Sequence, residues 1–322
     1  MATTEQKANE VIRLITEEEE EVMNVQALYP DREEWFSVSN KAYQLYLKKE
    51  RRNNKLLQKQ RHVSSTSNST IQDWVTLNET LSRFALGIPV SATTSELRYV
   101  QEQAVHLPKT ELLILDYLER YNMSPRWRAI QHVGRFQKFD AFKEFASIIN
   151  AGLICYYRRN FISCFLTLAP VIEGVLLRWV DYKGVGEKPD FEDFRKFFRK
   201  SAERQPCPYN IQFHQVFSKV CDSILNKHLY KPSHRGSAHA DFNRHLAIHL
   251  MKESSFGTKS NCIRLFILLD LMSELYFYEK RIFDSRNKLT GPDFKKEFDV
   301  YSGLSVAQAP NAAENMLLSH LK

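Results

Sequence analysis

Glycine is scarce in this 322-residue sequence, ten in all, and no G-x-G-x-x-G or G-x-x-x-x-G-K run occurs. Both phosphate-binding folds need such a turn so that backbone N–H groups can close on the anion. Nucleotide binding of the Rossmann or P-loop kind is therefore not expected. Five cysteines (155, 164, 207, 221 and 262) include no C-x-x-C pair. An odd number without metal-ligand spacing predicts free thiols in a reducing compartment rather than disulfides or a zinc cage. Long uncharged apolar runs are also missing. Phe161 to Leu177 is interrupted by Glu173, and Ile263 to Tyr278 contains Arg264, Asp270 and Glu274. A bilayer-spanning segment is not expected. The polar, acidic N-terminus does not read as a signal peptide, which predicts a cytoplasmic location. In that compartment the sequons at Asn68 and Asn78 carry no meaning.

What the chain does have is the composition of a globular protein, 43% hydrophobic and 26% charged. Its net charge of +7 is unevenly spread, because residues 1–34 hold three basic and ten acidic side chains. The remainder is strongly basic, as suits a protein that meets a polyanion. The hydrophobic period is helical throughout and strand alternation is absent, so an all-α helical bundle is predicted.

Residues 4–27 read as an acidic amphipathic helix stopped at Tyr29-Pro30, and Ser37 to about His62 as a second, basic one. Glu17 to Glu21 and the run Lys48, Lys49, Arg51, Arg52, Lys55, Lys59 and Arg61 read as solvated faces, the latter with RNA contact as the alternative. Ser64 to Thr70 is the one low-complexity stretch and marks a linker near 63–70. Helices follow at about 71–85, 95–106, 109–122, 125–134 and 138–157. Three parts are predicted: an N-terminal helical region over 1–135, a helical domain over 136–285, and a tail over 286–322. Within the second part, Phe161 to Val180 is apolar on nearly every face and should be buried, with Pro170 kinking it. A carboxylate there, Glu173, needs a partner or a proton. The helix Lys259 to Lys280, with Thr258 as its N-cap, places Asp270 in the same situation.

Four of ten histidines fall between 234 and 249, in His234-Arg-Gly-Ser-Ala-His239-Ala-Asp-Phe-Asn-Arg-His245-Leu-Ala-Ile-His249. Phe242, Leu246 and Leu250 at four-residue spacing predict a helix with a buried stripe. His245 and His249 share a face, and Asp241 extends that line one turn earlier. Such a line could ligate a divalent ion. Alternatively, an imidazole could move protons while Arg244 holds a phosphate. The bland reading is a core or capping histidine beside a surface arginine. Arg126-Trp-Arg-Ala-Ile-Gln-His132 has a looser arginine–histidine spacing and is read as coincidence.

Arg244-His245-Leu-Ala-Ile-His249 fits the R-[N/H/D]-x-x-x-H motif and so resembles the HEPN superfamily of helical ribonucleases. In a chain of this composition chance supplies roughly 0.1 such matches. The flanking sequence is similar too: Phe242-Asn243 before the motif, Phe256-Gly-Thr-Lys-Ser-Asn after it, then Arg264-Leu-Phe-Ile-Leu-Leu-Asp-Leu. Leu168-Ala-Pro-Val-Ile-Glu173-Gly resembles the preceding helix, in which an acidic residue often supports the site. The resemblance covers about residues 138–285. One departure is Leu250, where many relatives have glycine.

The resemblance implies a metal-independent endoribonuclease that uses the ribose 2′-hydroxyl as nucleophile, without a cofactor. His249 would be the general acid/base and Arg244 would stabilise the phosphorane. His245 or Asn243 would orient one of them, and Glu173 would hold Arg244 or a histidine. A homodimer is implied, with two motifs facing one cleft, and RNA is the implied substrate. Relatives act as toxins or defence effectors, which brings an antitoxin or defence-system partner into view. Two other readings stand beside this one: a non-catalytic helical RNA-binding or scaffold protein, and a metal-dependent enzyme.

Overall fold

The computed structural model describes residues 3–16, 22–61, 65–89, 92, 94–182, 184–185, 189–231, 241–248, 254–280 and 291–307. It is 79% helical, with no strand among the described residues, so the fold is all-α as predicted. The chain divides into two units, residues 1–71 and 72–322.

The first unit contains α1 (Thr4–Thr16), α2 (Val22–Ala27) and α3 (Arg32–Arg61). Ala8, Val11, Ile12 and Ile15 fall on one face of α1 and meet Val25, Val38 and Ala42 in a small apolar core. Helix α3 starts five residues earlier than predicted, because the Asp31 carboxylate accepts from the Glu33 N–H at 2.8 Å. Pro30-Asp31 thus ends one helix and caps the next. The side chains of most of the basic run, and Glu17 to Glu21, lie outside the described residues.

The second unit begins within α4 (Ser65–Leu81), which absorbs most of the predicted serine-rich linker into a helix. It continues through α5 (Thr94–Ala104), α6 (Glu111–Asn122), α7 (Pro125–Gln131), α8 (Asp140–Lys143), α9 (Ala146–Tyr157), α10 (Phe161–Trp179), α11 (Phe191–Phe197) and α12 (Ser201–Arg204). Then come α13 (Ile211–Ile224), α14 (Arg244–Ile248), α15 (Lys259–Lys280) and α16 (Pro292–Val306). Asn78, despite its sequon, is fully buried and ties Ile88 down through both its amide groups.

Helix α15 is the axis of this core. From Asn261 to Tyr276 every residue is buried, and the Thr258 hydroxyl caps its start by accepting from the Asn261 N–H at 3.2 Å. A helix enclosed on all sides must find a partner for each charge it carries. Arg264 binds Glu111 of α6, and Asp270 binds Arg128 of α7. Glu274 accepts from Arg135 at 3.0 Å, and Glu279 from Arg204 at 2.6 Å and His214 at 3.1 Å. Burial pushes the Asp270 carboxyl above its ordinary range, against the pull of Arg128 and Trp127.

Three of those partners come from residues before 136, and the apolar core runs continuously from Trp74 to Tyr301. The predicted boundary at 135 therefore does not separate two cores; the division falls near 71. Of the predicted tail over 286–322, the described residues 291–307 are a packed helix rather than a tail. Helix α16 packs on α7 and α9. Its Glu297 accepts from His132 Nδ1 at 2.6 Å, and Tyr301 is buried with its hydroxyl 3.1 Å from Asn150. His132 Nε2 donates to the Ala146 carbonyl at 2.9 Å, which makes this histidine a structural clamp between helices.

One helix among the described residues, α10, is long and apolar enough to cross a membrane. In this fold Cys164, Phe165, Leu168, Ile172 and Val175 of that helix lie in the core. It runs unbroken from Phe161 to Trp179, with Pro170 on its exposed side. All five cysteines are free, and burial pushes the Cys164 thiol well up.

Candidate functional site

The site is assembled around the short helix that carries the arginine–histidine motif. Helix α13 passes into a π-helical turn over Leu225–Leu229 and stops at Tyr230, just before Lys231-Pro232. Beyond the turn the Lys231 N–H returns to the His228 carbonyl at 3.2 Å, and both this carbonyl and that of Lys231 take a further bond from outside. Asn243 supplies both, with its Nδ2 donating to Lys231 at 2.7 Å and to His228 at 3.4 Å. Its Oδ1 accepts from the backbone N–H groups of His245 (2.8 Å) and Leu246 (3.1 Å). Asn243 is therefore the N-cap of α14 and a clamp on the preceding loop, fully buried in both roles. Among the described residues the Asn243 amide bonds backbone groups, those of His245 and Leu246 among them, and no catalytic side chain.

The helix starts later than its apolar spacing predicts. It begins at Arg244, and Asp241 lies before it with a left-handed backbone, φ 58°. An aspartate tolerates that conformation, but it leaves the helical line. Asp241 thus does not stand one turn below His245 on a common face, and the proposed metal-ligating row loses its first member. Among the described residues no three His, Cys, Asp or Glu side chains gather in ligating geometry. Phe242 anchors the entry to the helix, edge-on to Phe165 of α10, whose ring also meets Phe256 with centroids 5.5 Å apart. Gly257 follows Phe256, where a Cβ would collide with Ile162 of α10, so the chain can close on that helix only through glycine.

This packing sets Arg244 against α10. Its Nη2 donates to Glu173 Oε2 at 2.6 Å, joining two residues 71 positions apart. Both side chains keep a solvent edge, 27% exposed for Arg244 and 20% for Glu173. The carboxylate that seemed stranded in an apolar helix is thus charge-paired at its rim. The guanidinium also lies over the ring of Tyr230, 5.6 Å from its centroid. Burial holds the Tyr230 phenol above its ordinary range, so the ring faces the arginine uncharged. His245, next to Arg244, is exposed. His249 lies outside the described residues.

Arg244, Glu173 and Tyr230 therefore form one cluster, while His245 stands beside it in solvent. Tyr230 belongs to no motif; its only sequence signal is its place two residues before a proline. Chemically, a guanidinium fixed by one carboxylate and backed by a ring can present its remaining N–H donors to a phosphate. Compared with protein-family models, with curated proteins and with solved structures, the chain matches none.

Proposed function

We propose that this protein is a metal-independent endoribonuclease of the HEPN type, acting in the cytoplasm as a defence or toxin–antitoxin effector. The supporting observation is the 2.6 Å bond between Arg244 of the R-H-x-x-x-H motif and Glu173 of the preceding helix. The pair joins the arginine of the motif to the carboxylate that the resemblance nominates as its support, although a carboxylate in an apolar helix also needs a cation for the fold alone.

In this reading His249 accepts the proton of a ribose 2′-hydroxyl as its oxygen attacks the adjacent phosphorus. Arg244 stabilises the charge that builds on the phosphorane oxygens. The 5′-oxygen leaves with a proton from a second imidazole, which leaves a cyclic phosphate on the upstream fragment. Glu173 is a positioning residue, and exposed His245 completes the cleft. Two copies of α14 face each other in a homodimer, so that each contributes one edge of its motif through an isologous contact.

The test is a denaturing gel of total RNA incubated with wild-type, His249→Ala and Arg244→Ala protein, with and without EDTA. Cleavage by the wild type alone, unchanged by EDTA, is expected; loss of a general acid or base costs about 10²–10⁴-fold. Full activity in either variant would overturn the residue assignment, and loss in EDTA would favour a metal-dependent enzyme. A monomer that cleaves at undiminished rate in analytical ultracentrifugation conditions would remove the dimer. A second reading, a non-catalytic RNA-binding scaffold, is favoured by one observation: Arg244 is already neutralised by Glu173 and covered by Tyr230. Intact RNA in every lane, with RNA retained by the protein in a gel-shift assay, would favour it.

A further inference from the structure

A second surface of the larger unit, built by α5, α6 and α7, carries chemistry that the motif does not use. Tyr117 and Tyr121 are four residues apart on α6 and so share a face, about 6 Å apart along the axis. Each is doubled by another ring. Tyr99 of α5 lies 4.6 Å from Tyr117, and Trp127 of α7 lies 5.1 Å from Tyr121, both tilted by less than 40°. Tyr117, Tyr121 and Trp127 border an open groove of about 700 Å³, whose other walls include Glu96, Arg120 and Arg126, with Tyr99 backing Tyr117 from outside the lining.

The groove is held rigid from beneath. The Trp127 indole N–H donates to Asp270 at 3.3 Å, and Asp270 is the buried partner of Arg128. The Ser124 hydroxyl caps α7 by accepting from the Trp127 N–H. A stacking ring whose orientation is set by the core loses little freedom when a ligand arrives. The two cations differ. Arg120 is paired with Asp116 at 2.8 Å, whereas Arg126 is exposed and has no ion-pair partner among the described residues.

We infer that this groove binds a nucleobase carried on a phosphate, with the base stacked on the Tyr117 and Tyr121 ring pairs and the phosphate held by Arg126. Paired aromatic faces with a neighbouring arginine are what single-stranded nucleic acid requires of a protein surface. Glu96 argues against a bare phosphate, which it would repel, and for a base, whose edge amino and imino groups it can accept from. The ligand is either a free nucleotide or one residue of an RNA strand. The inference does not depend on cleavage at Arg244.

The test is fluorescence anisotropy of a fluorescein-labelled mixed-sequence oligoribonucleotide with 2′-O-methyl riboses, titrated with the full chain. That backbone lacks the nucleophile for the proposed cleavage, so binding is read independently of the ribonuclease reading. Arg126→Glu and Tyr117→Ala should each weaken binding at least tenfold, and Tyr117→Phe, which keeps the ring, less than threefold. Arg126 is on the surface, so its replacement leaves the fold intact, which circular dichroism will verify. Displacement of the label by AMP or GMP identifies a free nucleotide as the ligand; displacement only by unlabelled oligonucleotide identifies a strand. Wild-type protein that binds neither, or variants that bind as tightly as wild type, would overturn the inference.

Discussion

Replacing Glu173 with glutamine separates the two things its carboxylate could do. Glutamine keeps the volume and one oxygen that can still accept from Arg244 Nη2, but it removes the charge. The pair is short, 2.6 Å, yet each side chain retains between a fifth and about a quarter of its solvent exposure. A hydrogen bond to a charged group contributes about 1.5–3 kcal/mol when dry, and an exposed ion pair about 0.2–1 kcal/mol. The intermediate exposure, and the bond that glutamine preserves, place the stability cost near 1 kcal/mol. For a unit of this size that lowers the melting temperature by about 2–4 °C. The effect on RNA cleavage should be larger. A guanidinium no longer fixed by a counter-charge will meet the phosphorane in several orientations, and a tenfold loss corresponds to about 1.4 kcal/mol at the transition state. Thermal unfolding by circular dichroism and single-turnover cleavage of a labelled RNA, run on the same preparation, measure both. A melting temperature lowered as calculated with cleavage undiminished would show that Glu173 serves only the fold. A drop of more than about 10 °C would mean that the pair is far more deeply coupled to the core than its exposure allows.

Three further outcomes follow from the same structure. Asn243→Ala removes the cap of α14 and the 2.7 Å bond to the Lys231 carbonyl, so it should cost about 1–3 kcal/mol in chemical denaturation; an unchanged midpoint would contradict the clamp. Asp270→Asn leaves Arg128 buried without its counter-charge and should cost about 3–5 kcal/mol, most of it recovered when Arg128→Met and Asp270→Leu are combined; a single variant as stable as wild type would disprove the pairing. Burial raises the Glu279 carboxyl, but hydrogen bonds from His214, Arg204 and Trp179 together outweigh it and hold the group below its ordinary value of 4.5. Its contribution is therefore fully present above about pH 4.5 and is lost as pH falls through the lower folded value. Glu279→Gln should flatten this part of the acid-unfolding curve followed by tryptophan fluorescence, and an acid limb identical to that of wild type would refute the assignment.

Much of the helical layout was legible in the sequence. Helix α15 was read at its observed bounds, because Thr258 is a capping residue followed by an unbroken apolar period. Helix α10 was legible as a buried helix, and the proline expected to kink it lies within a helix that runs on without interruption. Other elements were misread. Ser65 to Thr70 has a linker's composition but continues into Trp74, Leu77 and Leu81, whose packing supports the helix from one side. Residues 292–306 are polar enough to pass for a tail, but Tyr301, the half-buried Phe294, Phe298 and Leu304, and the bonds of Glu297 to His132 and Gln137 fix them to the bundle. The arginine and the carboxylate of the candidate site were both nominated from the motif and its flanking helix, but Tyr230 and the capping role of Asn243 were not.

The difference has one physical origin. A helix is closed by bonds between residues four apart, so its existence, its cap and its apolar face are written in local spacing, and the sequence alone determined an all-α chain with α10 and α15 at its centre. An ion pair such as Arg128–Asp270 or Arg244–Glu173 joins residues 142 and 71 positions apart, and nothing local favours one partner over another. Periodicity could say that Asp270 and Glu173 each needed a cation. Which cation, whether the pair would be sealed in the core or left at its rim, and that residues before 136 share one core with those after, were decided only when the helices packed. Burial makes an unpaired charge too costly, and packing alone determines which charges are within reach.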